Sequence, residues 1–356
     1  MNARDRFNKI MNYEHADRLP VLAFEPYESF GLAGWRKEGL PEGVTPEEFL
    51  GMDRFNHIPV AFGPIPAFDQ TILSETDEDF VQIDWMGSAV RRHREAPDMY
   101  YGHVDHAVKT RADWDVYKQH FLVESEDRIP SDLPSCALLM NSSELPTGLM
   151  IFPFFFRLGF YAMGMERFLT AFYEEPALIH DMFEYFADFV LRTIRPILKT
   201  VKIDYAAFGE DLAYKTNPHM SPAIYKEFWL PYQDPIVKEI KDSGVKVISQ
   251  YTAGNIEVLL PMLLEHGFNT TWPLERGAGM DPVKLRKEYG RDLKMAGGVS
   301  KEALIGGPDA IDREIEAMMP VIQDGGFIPA IDDMVPPEVT LSSYRHYVET
   351  LKKIKL

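Results

Sequence analysis

The sequence predicts an α/β protein folded as a (β/α)8 TIM barrel, with an N-terminal insertion containing a β-hairpin. Three observations carry that reading. From Asp204 to Asp333 one unit recurs: a short apolar run, a few polar residues, then a helix start. Such alternation means parallel strands joined by crossover helices. No Gly-x-Gly-x-x-Gly turn follows an early strand, as the rival open doubly wound sheet requires. A chain of 356 residues also suits one barrel with insertions, and it buries about three quarters of its unfolded surface. In a closed barrel the C-terminal ends of all strands open on one mouth. Polar residues that follow the apolar runs are therefore expected to converge there.

Taken in order, residues 1–18 read as an opening helix, with Arg6, Phe7, Ile10 and Met11 at helical spacing. Leu19 to Phe24 is the first predicted strand, ending at Glu25, and Ser29 to Gly39 is a short helix carrying Trp35. Residues from about 52 to 140 read as an insertion or cap within a single domain of residues 1–356. In it, Phe80–Trp85 and Ala89–His93 straddle Met86-Gly87-Ser88 as a hairpin. Thr147 to Phe156 is the next buried strand, with Arg157 at its polar end. Helices follow at Gly164–Tyr173 and Ala177–Leu198, divided by Pro176. Four strands are predicted at Tyr205–Phe208, Val245–Ile248, Phe268–Trp272 and Leu293–Ala296, and the last at Phe327–Ile331. Ser221, Asp281 and Asp309 are expected helix caps, and Ser342 to Lys353 is the closing helix. Seven strands are placed by this reading. The eighth has no legible signal.

Composition narrows the function. The net charge of −18 disfavours nucleic acid, which needs clustered Lys and Arg. No apolar run approaches the ~20 residues needed to span a bilayer, and the first residues lack the apolar core of a signal peptide. Cys136 is the only cysteine, so no intrachain disulfide can form and a thiolate-rich zinc site is not expected. A cytoplasmic setting is the expectation.

Each strand end supplies a candidate. Glu210 and Asp211 are adjacent carboxylates after an apolar run, with Tyr214 just downstream. One of them could serve as general base or metal ligand. The other reading is that one caps a turn while the other is solvated. Asp332 and Asp333 repeat the pattern at the last strand. Glu210 and Asp332 together are candidate oxygen ligands for a hard divalent cation. Gln250, Tyr251 and Asn255 supply amide and phenol groups, with Asn255 also readable as a helix cap. Glu275 reads equally as catalytic or as an ion-pair partner of Arg276 or Arg286. Glu25 and Arg157 enter by the same positional argument, Arg157 as a carboxylate binder. The histidines form no metal motif, and His103-Val-Asp-His106 reads as surface.

Several stretches resemble the uroporphyrinogen decarboxylase superfamily, which includes methyltransferases that exchange methyl groups with corrinoid proteins. They are Asp17-Arg-Leu-Pro20, Gly209-Glu-Asp-Leu-Ala-Tyr-Lys215 with Phe228-Trp-Leu-Pro231, Pro273-Leu-Glu-Arg-Gly-Ala-Gly-Met-Asp281 with Gly297-Gly298, and Gly325-Gly-Phe-Ile-Pro329. The resemblance implies a (β/α)8 barrel with its site at the mouth. The decarboxylases carry an arginine-rich loop after strand one, where this chain has Phe24-Glu-Pro-Tyr-Glu28, and a glycine–histidine–glycine segment where it has Ile331-Asp-Asp333. The zinc-dependent thiol methyltransferases carry His-x-Cys where it has Tyr251-Thr-Ala253. What the resemblance then implies is a methyltransferase or demethylase. It would move a methyl group from a small methoxylated or methylated-amine substrate to cobalamin on a partner corrinoid protein. Glu210, Asp211, Tyr251, Glu275 and Asp332 would act catalytically, and Glu25, Arg157, Tyr214, Gln250, Asn255 and Asp333 would bind substrate. A porphyrinogen or small-acid decarboxylase is the alternative, and a non-catalytic ligand-binding barrel the third reading. No nucleic-acid or membrane partner is expected, and a homodimer is compatible with the sequence.

Overall fold

In the computed structural model the described residues are 1–23, 29–94 and 102–356, with Ser29 and Phe30 described by their backbone alone. The predicted Phe24 strand end, Glu25 and the acidic stretch to Glu28 lie outside them. Eleven strands are described: β1 (Asn56–His57), β2 (Ile72–Glu75), β3 (Asp79–Ile83), β4 (Ala89–His93), β5 (Gly102–Asp105), β6 (Thr147–Ile151), β7 (Tyr205–Gly209), β8 (Val247–Tyr251), β9 (Thr270–Leu274), β10 (Lys294–Val299) and β11 (Phe327–Ile331). Seven of them form one parallel sheet in the order β1-β6-β7-β8-β9-β10-β11, with helices between consecutive strands from β6 on. This is the barrel-type α/β fold that the alternation predicts. β2 to β5 form a separate antiparallel sheet, and β3 and β4 are the predicted hairpin, paired from Asp79↔His93 to Ile83↔Ala89.

The strand that the sequence conceals is β1. It is two polar residues long and pairs Asn56 with Thr147 and His57 with Gly148. Just before it, Asp53 bridges Leu22 in parallel, and its carboxylate accepts a 3.0 Å hydrogen bond from the Val21 amide. The first predicted strand is thus an isolated bridge at the sheet edge. Among the described residues no ladder joins it to β11.

Side-chain parity divides the barrel into an inside and an outside, because successive strand residues face opposite ways. Tyr205, Ala207, Val247, Trp272, Ala296 and Ile328 cluster in the interior with Phe7, Ile10 and Met11 of the opening helix. That helix, Ala3–Met11, plugs the N-terminal end of the barrel. It is shorter than the predicted 1–18, because the side chain of Asn12 bonds back to Asn8 O at 2.6 Å and Tyr13 turns left-handed at φ 60°. The residues of opposite parity, such as Ala206, Phe208 and Ile248, pack on the helix layer. There the helix Pro176–Thr200 buries Leu178, Ile179, Met182, Phe183, Phe186, Phe189, Val190, Ile194 and Ile197, the predicted apolar stripe.

Most later strands end further along the chain than predicted. β8 runs through Gln250 and Tyr251, β9 through Leu274 and β10 through Val299. Thr147–Phe156 shortens the other way: β6 stops at Ile151 and a helix begins at Phe155. Ser221 and Asp281 cap their helices as expected, accepting from Ile224 N and from Val283 N and Lys284 N. Asp309 does not, since that helix opens at Pro308 with Gly307 in the cap position, two residues earlier than expected.

Candidate active site at the barrel mouth

Parity separates the adjacent carboxylates. β7 turns Tyr205 and Ala207 inward, so Gly209 and Asp211 continue the inward row and Glu210 points to the helix layer. Glu210 is 2% exposed. Its Oε2 accepts from the amides of Phe156 at 2.6 Å and Arg157 at 3.4 Å, and its Oε1 from the Trp229 indole at 2.9 Å. Burial pushes its pKa up to about 8, against the pull of those donors. Gln250 shares parity with Ile248 and is likewise buried against the helix layer, donating to Phe208 O at 3.4 Å. It does not face the mouth.

Asp211 does face it. Its Oδ2 lies 3.3 Å from Nη2 of Arg157. Arg157 is not a strand-end residue but sits in the first turn of the helix Phe155–Met163. One turn on, the Tyr161 hydroxyl lies 3.5 Å from its Nη1, and its guanidinium stands 5.7 Å over the Phe152 ring. Burial works against its charge, but Asp211, with Tyr161 and Tyr251, more than offsets this and raises its pKa. Tyr251 has inward parity and packs at 5.7 Å against Trp272, the rings tilted by 59°. His219, half-buried, lies flat on Phe156 at 5.1 Å; burial lowers its pKa, with Asp211 acting the other way. On the β11 side Lys301 Nζ meets Asp333 Oδ2 at 2.5 Å.

Other strand-end acids hold neighbouring loops. Asp332, 1% exposed, accepts from the amides of Lys301 and Arg276, both at 3.0 Å, and burial pushes its pKa up to about 7. Glu275 Oε2 accepts from the Gly254 amide at 2.9 Å. Thr252 Oγ1 accepts from the Leu212 amide at 2.9 Å. With Glu210 these contacts make one pattern: just past β7, β8, β9 and β11 a side chain takes a backbone N–H from the loop after the preceding strand. β10 is the exception, since Ser300 just past it caps its own helix, accepting from Ala303 N at 3.1 Å, and donates to Glu314 at 2.8 Å. Asp332 therefore reaches past it to Arg276 as well.

The structure thus brings together Arg157 and Asp211, with Tyr251 close enough to act electrostatically on Arg157. It sets Glu210 and Gln250 aside in the helix layer. Glu210 and Asp332 grip loops after different strands, and among the described residues no three His, Cys, Asp or Glu side chains group to hold a metal ion. The proposed oxygen-ligand pair is not formed. Asn255 is not the helix cap, since the short helix after it is preceded by Ile256; its Oδ1 accepts from Glu257 N at 3.0 Å in a side-chain turn and its Nδ2 donates to Ala278 O at 2.8 Å. Tyr214 is 53% exposed at the rim. Phe152, Tyr161, His219 and Lys301 were not foreseen. Tyr161 could have been, from its i+4 spacing to Arg157. His219 gives no sequence signal, because a turn closed by the Ala213↔Pro218 bridge carries it in. His103 and His106 are half-buried and line an open cleft, stacked on each other at 5.2 Å beside Phe160.

Over 99% of this chain and 98% of the other, the fold matches the structure of a methyltransferase from Methanosarcina mazei, with TM-score 0.65 and 15% identity. That likeness concerns the fold alone. In sequence, the chain is 25% identical over 183 residues to the uroporphyrinogen decarboxylase of Crocosphaera subtropica and 24% identical to that of a Synechocystis species. The matched part spans about half the length of those relatives. The model of the uroporphyrinogen decarboxylase (URO-D) family matches residues 80–354. The chain belongs to that family.

Proposed function

We propose that the protein is an enzyme of the methyltransferase branch of this fold, taking a methyl group from a small methoxylated or methylated-amine substrate. The observation that carries the reading is the charge balance of the mouth. Arg157 is matched by Asp211 and Lys301 by Asp333, and between them lie phenols and aromatic faces, Tyr161, Tyr251, Phe152 and Trp272. A porphyrinogen with many carboxylates would need surplus cations there. A neutral aromatic ether or a methylated ammonium would not.

The corrinoid, carried by a separate protein, would supply the nucleophile that takes up the methyl group. Tyr214 and Met334, both exposed at the rim, offer apolar contact to such a partner. The chain's own residues hold and protonate. Asp211 fixes Arg157, Arg157 orients the Tyr161 hydroxyl, and Tyr251 faces the same space. As the C–O bond of a methoxy donor breaks, its electron pair stays on the leaving oxygen, and a phenol proton passes to that oxygen and is replaced from water. The test mixes the protein with a cob(I)alamin-bearing protein and a panel of methoxylated aromatics and methylated amines, without oxygen. Methylation of the cobalt, seen in the visible spectrum, supports the reading, and silence across the panel refutes it.

One observation favours a second reading, a small-acid decarboxylase: Arg157 Nε is buried and has no hydrogen-bond partner among the described residues. It could receive a substrate carboxylate. In that case the protein releases carbon dioxide, and Arg157→Ala abolishes release while leaving the unfolding free energy within about 1 kcal/mol of the parent. Full activity in that variant ends the decarboxylase idea.

A further inference from the structure

At the end of the barrel opposite the mouth lies a cleft of about 710 Å³ lined by Lys241, Lys246, Lys294, Asn12, Asn269 and Asp292, among others. A second cleft shares Asn12, Gly244 and Lys246 with it and adds Lys9 and Lys202. Its acids are Asp5, Glu14 and Asp204, the last already committed to an ion pair with Arg4 at 2.9 Å. With Asp204 paired, five lysines stand on this face against Asp5, Glu14 and Asp292, a local excess of positive charge on a chain of net charge −18.

Lys294 is the unusual member. It is the first residue of β10 and only 9% exposed. Its ammonium donates to one acceptor, Lys246 O at 2.9 Å, and among the described residues no carboxylate lies within ion-pair distance of it. A lysine this deeply buried normally has a partner anion. Burial, and then the neighbouring Lys246, push its pKa down to about 8, the signature of an ammonium short of counter-charge. Two of its N–H donors are left for a ligand at the cleft.

We propose that this cleft binds a phosphate group, with Lys294 as the buried contact and Lys246 and Lys241 at its rim. Point-charge ammonium groups suit a compact dianion better than a single carboxylate. The phosphate can be free or carried on a small organic ester, and the experiment separates these sources. The full-length protein is titrated calorimetrically with inorganic phosphate and, separately, with glycerol phosphate, at constant ionic strength in chloride. Saturable binding of one phosphate per chain is expected, weakened about tenfold or more by Lys294→Met. Binding of both ligands supports the site with an ester as its occupant, and binding of inorganic phosphate alone supports it with the free ion. No saturable binding overturns the proposal, as does binding that Lys294→Met leaves unchanged, since that would place the anion elsewhere. Should Lys294→Met fail to fold, Lys246→Met and Lys241→Met, both at exposed positions, take its place. Unchanged affinity in that pair also overturns the assignment.

Discussion

Glu210 and Asp211 are neighbours in sequence with the same side-chain chemistry, and the structure gives them opposite work. Period two along β7 sends one carboxylate to the helix layer and the other to the mouth. Sequence could show that two acids stand at a strand end, but not which of them the strand turns inward, because that depends on where the strand stops. Glu210, gripped by two amides and an indole, is therefore expected to act on stability. In Glu210→Gln an amide NH2 faces one of those donors, which should cost roughly 1–3 kcal/mol at pH 5. The pH dependence follows from the sign of the shift. The folded-state pKa is raised from 4.5 to about 8, so between those values the native state binds more protons than the unfolded one. Wild-type stability then falls as pH rises through that window, by at most ~1.4 kcal/mol per pH unit from this group. Gln carries no such term. Urea midpoints taken from pH 5 to 8 should show the wild-type advantage shrinking towards alkaline pH, and parallel profiles for the two proteins would contradict the assignment.

Among the elements, the long regular ones were the most legible. The helix Pro176–Thr200 declares itself by its apolar stripe, and β7 and β11 by continuous apolar runs bounded by polar residues. β1 hides because two polar residues, Asn56 and His57, complete the sheet by backbone pairing alone. The sequence ends β8 too early because Gln250 and Tyr251 look like loop residues, yet both stay in register, opposite Phe208 and Gly209. The same alternation gives two glycines of the inward row different consequences. A Cβ on Gly148 would stand 2.1 Å from the Tyr205 ring, and one on Gly209 would stand 2.5 Å from the Phe152 ring. Tyr205 is enclosed by Phe7, Phe55 and Trp272 and has nowhere to go. Phe152 is only half-buried, at the open mouth. Gly148→Ala should thus lose roughly 1–3 kcal/mol of stability or more. Gly209→Ala should stay near the parent in stability while weakening ligand binding at the mouth by about tenfold. Denaturant melts paired with a ligand titration separate the two, and an equal stability loss in both would show that the mouth is as tightly packed as the barrel's interior.

For the whole molecule, the opening helix closes the barrel where, among the described residues, the sheet does not. The family match begins at residue 80, yet the opening helix is tied to both sides of the sheet. Arg4 Nε lies 2.9 Å from Asp204 Oδ2, and Arg4 Nη2 donates to Lys202 O at 2.8 Å, just before β7. Ile10 O accepts the Gly326 amide at 2.7 Å, just before β11, and the Tyr13 hydroxyl donates to Arg291 O at 2.9 Å ahead of β10. Between these ties Phe7, Ile10 and Met11 fill the barrel's interior. The plug joins strands that share no ladder, which makes it part of the cooperative core rather than an appendage. Arg4→Met tests this. Asp204 keeps hydrogen bonds from the Thr147 amide and Asn8 Nδ2, both at 2.7 Å, but loses its counter-charge while nearly fully buried, a change that costs about 3–5 kcal/mol. If plug and barrel unfold together, tryptophan fluorescence and far-UV circular dichroism should report one coincident urea transition, moved to a lower midpoint with its slope unchanged. A helix that merely decorates the barrel would instead melt by itself, leaving the main transition where it was.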